Sequence, residues 1–546
     1  MLETHSFARK LLQGSVYPLS FILLSATSTN GYAIFFDGKG HYSLTGQTET
    51  HPGFDRSSGY FQAIKQNFTL DVETRISDKS SVWLQLRLFD NPRAAYLGDQ
   101  GRPNECSPTT GTGATTGVSN RGNAASCSNR YQSVENPGYE PYNLKATQLY
   151  ATYATEYCLI KAGRRARHWG LGAFLNEGSG LFDTSASIYD GVTCEINIQK
   201  TQTLGFSFGY DKLAESGGAV EVDIAPPDRT SGATKSSDDL DQYFFTIEYD
   251  DRKANAGSGF SQNVGFYFAN IVGGHNGPKT DVKYADLFAS FYLQNLVIKQ
   301  EVLFRLGKSA DPSFARLGGS SSIEGNIANN DVQSIAATGA FEYVLKRSGE
   351  VVGPPEFNQG NAESHSVFMD YAYAPGDRDG YYEEFDSTTG APTELRDRKA
   401  SAIAFHPNFK PALILFNGSP DIDGMRVDGI FDPNRVMNAT TLGLGYRFQS
   451  LETGNFELKL IGAKLTQAMS RSLAKDVYAS RNERPVGYDG SALGYELDLK
   501  YNKTLGKYIT WGLAGAIATP GDAWKIHKGS TPTMSYLLQS FGAIQF

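Results

Sequence analysis

Along most of this chain apolar and polar residues alternate one by one. Between 81 and 89, Val82, Leu84, Leu86 and Leu88 share one face, while Trp83, Gln85 and Arg87 share the other. Between 203 and 210, Leu204, Phe206, Phe208 and Tyr210 alternate with Thr203, Gly205, Ser207 and Gly209. The same alternation runs through 242–249, 441–449 and 495–502. A repeat of two is the repeat of a β-strand. The pattern predicts eighteen strands, at 41–50, 60–76, 80–89, 146–155, 158–164, 187–199, 203–211, 241–250, 263–272, 283–293, 296–306, 333–346, 365–373, 439–449, 455–464, 491–503, 508–518 and 533–546.

Alternation alone does not say which face meets water, because a soluble sandwich alternates too. The connections separate the two cases. After even-numbered strands most are tight, as at Ser77-Asp78-Lys79, Glu156-Tyr157, Gln294-Asn295 and Thr504–Lys507. After odd-numbered strands most are long, as at 90–145, 165–186, 212–240, 307–332 and 374–438. Short turns at one end and long loops at the other are the asymmetry of a bacterial outer-membrane barrel. In lipid every backbone amide needs a partner, so a spanning sheet has to close on itself. The predicted fold class is therefore all-β: a closed antiparallel transmembrane β-barrel of about eighteen strands, covering 34–546. The last strand ends in Phe546, a terminal aromatic that suits recognition by the barrel assembly machinery.

Composition narrows the classes further. The 546 residues carry 50 Lys+Arg against 58 Asp+Glu, a net charge of −8 that argues against a nucleic-acid binder. No apolar run approaches the roughly 20 residues of a membrane-spanning helix. With 58 Gly, 30 Tyr and 33 Phe, the chain suits many strands and turns. Arg9-Lys10, the apolar stretch Leu11–Ala26 and Gly31-Tyr32-Ala33 read as a secretory signal over 1–33. Export permits disulfides. Cys106 and Cys127 flank a polar, Gly-rich stretch and are a candidate pair; Cys158 and Cys194 either pair or stay free.

The most distinctive local segment is Gly163-Arg164-Arg165-Ala166-Arg167-His168-Trp169-Gly170-Leu171-Gly172. Arg164, Arg167, His168 and Trp169 are expected at a pore mouth or on a loop folded inward, where the planar Arg fork attracts anions or sugars. On the inferred lumen face the alternation places Lys65, Arg75, Arg87, Lys161, Arg165, Lys299, Glu301, Arg305, Arg447, Glu496 and Asp498 as pore-lining and selectivity candidates. Both signs are present, so the lumen is mixed. Charges of both signs select polar solutes through a transverse field, or they pair across strands and stiffen the wall. The loop 374–438 opens with Tyr381-Tyr382-Glu383-Glu384-Phe385-Asp386 and continues into the apolar run Ile403–Phe416. Such a run is unfavourable in water and is expected to pack into the barrel mouth or on itself. No His-Glu-x-x-His, Gly-x-Ser-x-Gly or P-loop is present, and the Asp clusters lack EF-hand spacing, so no cofactor or metal is expected.

Three segments carry a family resemblance: Gly163-Arg164-x-x-x-x-Trp169-Gly170, Leu493–Leu499, and Ala518-Thr519-Pro520-Gly521-Asp522-Ala523. They resemble the alginate-export-like outer-membrane porins. The resemblance implies an eighteen-stranded barrel with a basic lumen that passes an anionic polysaccharide, and Arg87, Arg165, Arg305 and Arg447 fit that idea.

The expectation is an outer-membrane porin or exporter for passive movement of polar solutes, saccharides among them. Its partners would be outer-membrane lipid, the assembly machinery and the solute. Two other classes stay open. One is a non-conducting barrel for adhesion or envelope structure, using loops 90–145 and 374–438. The other is a barrel hydrolase around His168, with Ser179 and Asp183 nearby in sequence.

Overall fold

The computed structural model describes residues 35–54, 60–88, 96–97, 145–183, 185–197, 204–214, 240–253, 255, 259–273, 280–309, 330–348, 363–376, 399–416, 435–467, 490–526 and 532–546. The expected signal segment 1–33, the Cys106–Cys127 pair, most of loop 90–145 and the run Tyr381–Asp386 lie outside these residues.

The sheet has twenty strands, two of them only two residues long: Tyr96–Leu97 and Lys399–Ala400. The eighteen others are β1 Phe35–Thr50, β2 Tyr60–Ser77, β3 Ser80–Leu88, β4 Lys145–Ala154, β5 Leu159–Ala166, β6 Ile188–Asn197, β7 Leu204–Ala214, β8 Leu240–Asp250, β9 Phe260–Gly273, β10 Thr280–Leu293, β11 Leu296–Ser309, β12 Asn330–Ser348, β13 Glu363–Ala374, β14 Ala439–Gln449, β15 Asn455–Leu465, β16 Ala492–Leu505, β17 Ile509–Pro520 and β18 Ser535–Gln545. Each pairs antiparallel with its neighbours in sequence, as in Phe68↔Leu88 and Phe291↔Ile298. β18 returns to β1 with Tyr42 opposite Ile544, so the sheet has no free edge.

The seam closes at the last residue. Gly40 and Phe546 exchange backbone hydrogen bonds of 2.8 and 2.9 Å. A Cβ on Gly40 would lie 2.7 Å from the Thr69 backbone carbonyl oxygen and 2.8 Å from the Phe546 ring, so a larger residue there would force the backbone or the ring to shift. β1 begins six residues earlier than the alternation predicts. Its Gly-interrupted start, Phe35-Phe36-Asp37-Gly38-Lys39-Gly40, has weak strand propensity, but the far end of β2 needs a partner and Phe35 pairs Arg75.

The barrel is apolar outside and polar inside. Leu149, Val192, Phe208, Leu287, Ile335, Leu442, Leu444, Leu460, Leu499 and Leu538 are exposed on the outer wall. Arg87, Arg165, Asp211, Asp286, Glu301, Arg305, Lys459, Glu496 and Asp498 are buried. Tyr210, Tyr243, Tyr373, Tyr495 and Tyr536 ring the outside near the long-loop end; Tyr153, Tyr343, Tyr508 and Trp511 ring it near the short-turn end. An apolar band between two aromatic girdles matches a bilayer and its interfaces.

Candidate functional site

Two segments from the long-loop end fold into the lumen, 167–187 and 399–416. Each is held by lumen side chains whose polarity matches the backbone group they meet. Glu301 on β11 is fully buried and accepts a 2.5 Å hydrogen bond from the Leu171 amide. Gly170 makes this approach: its φ is +57°, and a Cβ there would lie 2.7 Å from Glu301 Oε2. Arg87 on β3 donates from Nη2 to the Gly178 carbonyl at 2.8 Å. Asn67 donates to the Asp183 carbonyl at 3.1 Å. Trp169 then packs edge-on against Phe288, with ring centroids 5.0 Å apart.

The second segment is held in the same way. Glu496 on β16, 1% exposed, accepts three consecutive amides, from Leu413 and Ile414 on Oε1 and from Leu415 on Oε2, at 2.7–2.8 Å. Arg305 on β11 donates to the Ala402 carbonyl at 2.6 Å. Lys459 on β15 reaches both the Pro411 carbonyl and Asp370 Oδ2 at 2.8 Å. The apolar side chains Ile403, Phe405, Ile414, Leu415 and Phe416 bury against Ala336, Ala372, Ile461, Leu493 and Ala516 of the inner wall. The wall there is small and apolar, which gives this run a dry surface inside a barrel of otherwise polar lining.

The two segments also hold each other. His406 donates its amide to the Ala173 carbonyl at 2.7 Å, Asn408 donates to the Ser185 carbonyl at 2.8 Å, and Phe174 meets Phe405 edge-on at 4.7 Å. His406 is held neutral: burial, with Arg435, His168 and Lys410 nearby, lowers its pKa to about 4. Its Nδ1 is accordingly free to accept the Asn408 amide at 3.2 Å. In the first segment burial raises the Asp183 carboxyl above its ordinary value.

Among the predicted lumen residues, Arg87, Glu301, Arg305 and Glu496 thus act as anchors for loop backbone. Arg75 pairs along its own strand with Glu73 at 3.2 Å, and others pair across the wall: Lys161 with Glu195 at 2.8 Å, Arg165 with Asp211 at 3.3 Å, and Arg447 with Glu342 and Glu457 at 2.9 Å each. Lys65 is half-buried on β2, and Asp498 is buried on β16 opposite Lys459. Arg167 lies inside, bound to Asp211 at 2.6 Å and stacked 3.7 Å from the Phe244 ring centre. Arg164 corrects the expectation of a pore-mouth basic cluster. It is adjacent to Arg165 in the strand and so takes the opposite face, pointing outward with Leu149 and forming a half-exposed, bidentate pair with Asp190 at 2.8 and 2.6 Å. The disulfide joins Cys158 to Cys194, which the register of β5 and β6 brings together.

Between the two folded segments and the short-turn end lies a cavity of about 640 Å³. His168 and Trp169 line it from the first segment, Asn408 and Lys410 from the second. Arg252, Lys299 and Lys459 face it from the wall, with Glu248 and Asp370. Four basic side chains against two carboxylates make it net positive. Asp211, Gln242 and Tyr267 form the buried polar cluster around Arg167, and Asp370 and Lys410 border the cavity. Sequence reading passed over these five, because each is ordinary for its place in a strand or loop. Among the described residues no hydrogen bond joins His168 to Ser179 or Asp183, and Asp183 instead accepts the Gly180 amide at 2.9 Å.

The exposed apolar band and the charged interior decide the environment of this sheet. It is a membrane-spanning barrel. No protein-family model and no curated protein matches the sequence. Among solved structures, the chain is similar to the outer membrane protein OprD from Pseudomonas aeruginosa, at 9% identity over 95% of each chain, with a TM-score of 0.42. It is also similar to P. aeruginosa OccK2 (OpdF) in complex with glucuronate, at 11% identity, 94% and 96% coverage and TM-score 0.43. For Acinetobacter baumannii OccAB1 the values are 9% identity, 94% and 96% coverage and TM-score 0.45.

Proposed function

We propose that this barrel is a bacterial outer-membrane channel that lets polar solutes move passively down their gradients. The observation that carries the reading is the inverted wall, apolar to lipid and charged within, together with the polar cavity beneath the two folded segments. The net-positive cavity lining favours solutes that carry negative charge, and saccharides remain within the class. The three motifs that resemble alginate-export-like porins agree with an anionic or sugar cargo. Phe546, held at the seam by Gly40, is where the assembly machinery would engage the last strand.

Single-channel conductance of the refolded chain in a planar bilayer tests this. Stable open steps with anion preference, weakened by Lys299→Ala, support it. Absence of steps from protein shown to be folded overturns it. One observation favours a second reading, a non-conducting barrel for adhesion or envelope structure: the 399–416 segment fills the long-loop half of the lumen with apolar side chains. The same recording decides between them.

A further inference from the structure

We propose that Trp83 and Tyr150 form a stacking platform for a saccharide ring on the lumen wall. This deepens the channel reading by assigning a subsite to a sugar. Both residues face inward: Trp83 shares its face with Gln85 and the buried Arg87, and Tyr150 stands directly opposite Trp83 in the register. Their rings are parallel to within 3°, with centroids 6.2 Å apart. The two rings are stacked in parallel rather than crossed.

Three other inward aromatic pairs differ. Trp169 and Phe288 cross at 84°, and Phe405 and Phe409 at 64°, as rings do when they fill space. Phe244 and Tyr267 are near-parallel, but both are buried and Arg167 lies over Phe244. Trp83 and Tyr150 are half-buried. Gly163, the register partner of Tyr150, adds no side chain beside the phenol ring.

The surroundings of the pair supply both donors and acceptors. Lys39 Nζ lies 6.0 Å from the Trp83 ring centre, at the outer limit of a cation–π contact. Glu73 faces Trp83 across the strands and holds Arg75. The Lys161–Glu195 pair borders Tyr150 on the other side. A pyranose presents an apolar C–H face to a ring and a rim of hydroxyls that both donate and accept. Carboxylates and ammoniums in alternation match that rim. They disfavour a simple anion, which would meet Glu73 and Glu195, and a flat apolar solute, which would leave the rim groups unpaired.

The test uses the full folded chain with maltotriose as the ring-bearing probe and mannitol as an acyclic polyol. Maltotriose is expected to interrupt the single-channel current and mannitol is not. W83A and Y150A are each expected to weaken maltotriose binding about fivefold, W83F to retain it within about twofold, and W511A on the outer wall to leave it unchanged. Should W83A fail to refold, Y150A carries the comparison. Equal binding by wild type, W83A and Y150A overturns the platform, as does mannitol binding as tight as maltotriose. If folded protein passes no current, the channel reading fails by itself. Tryptophan fluorescence titrated with maltotriose in detergent then decides the platform: a change that disappears in W83A supports it, and no change overturns it.

Discussion

Replacing Glu496 by Ala removes the single acceptor of three consecutive amides, those of Leu413, Ile414 and Leu415. Glu496 is 1% exposed, so water does not take its place without opening the packing. A buried donor left without a partner costs about 1–3 kcal/mol. Three donors give about 3–6 kcal/mol against the docked state of 399–416, after some relaxation. At about 1.4 kcal/mol per factor of ten, that shifts the docked population by a factor of about a hundred or more. The barrel itself does not depend on these bonds, because its strands pair with one another. Glu496→Gln is the finer probe. Its oxygen can keep the two amides on one side, while its NH₂ is turned toward the Leu415 amide, donor against donor. The expected order of docking is wild type, then Gln, then Ala. Hydrogen exchange at 413–415 reads it directly, with protection falling in E496A while strand amides remain protected. Single-channel recording gives the functional side, with larger or noisier steps as the segment leaves the lumen. Unchanged protection at 413–415 in E496A would show that the apolar cluster alone holds the segment, and would refute the anchoring argument.

Further outcomes follow from the same wall. The pKa of His406 falls from its ordinary 6.5 to about 4 on docking, so the undocked state binds the extra proton in between. Stability of the docked segment is therefore full above pH 6.5 and lost as the pH falls toward 4, by about 3 kcal/mol at most; amide exchange of 399–416 across pH 4–7 measures it, and a flat profile refutes it. Asp211→Ala leaves Arg165 and Arg167 buried without their carboxylate and is expected to destabilise the barrel by about 3–5 kcal/mol, read as a lower urea midpoint in detergent. Leu444→Arg, at mid-height on the outer face, should cost about 2–4 kcal/mol in a bilayer. An unaltered unfolding free energy in lipid vesicles would contradict the outward assignment.

The strand layout was legible in the sequence because a repeat of two leaves a mark at every residue. All eighteen predicted strands appear, and most bounds shift by three residues or fewer. The one larger miss is the start of β1, where pairing overrode the weak local propensity around Gly38 and Gly40. Which face each charged residue occupies follows from the same parity. It separates Arg164 from Arg165, although a reading of the cluster as one basic patch hides this. The apolar run 403–416 announced that it needed cover, because a peptide that greasy is unstable in water.

What parity could not supply is partnership. Arg87, Arg305 and Glu496 look alike in sequence to the wall-paired Arg447 and Lys161. Only the inward folding of 167–187 and 399–416 turns some lumen charges into backbone anchors and leaves others as cross-strand pairs. The Cys158–Cys194 bond, the Asp211 cluster and the position of the cavity likewise join residues far apart along the chain. Local alternation is a property of neighbouring residues and is written in the sequence. Which polar group meets which backbone amide depends on how a closed wall and its loops fill one volume, and that was decided only by the tertiary structure.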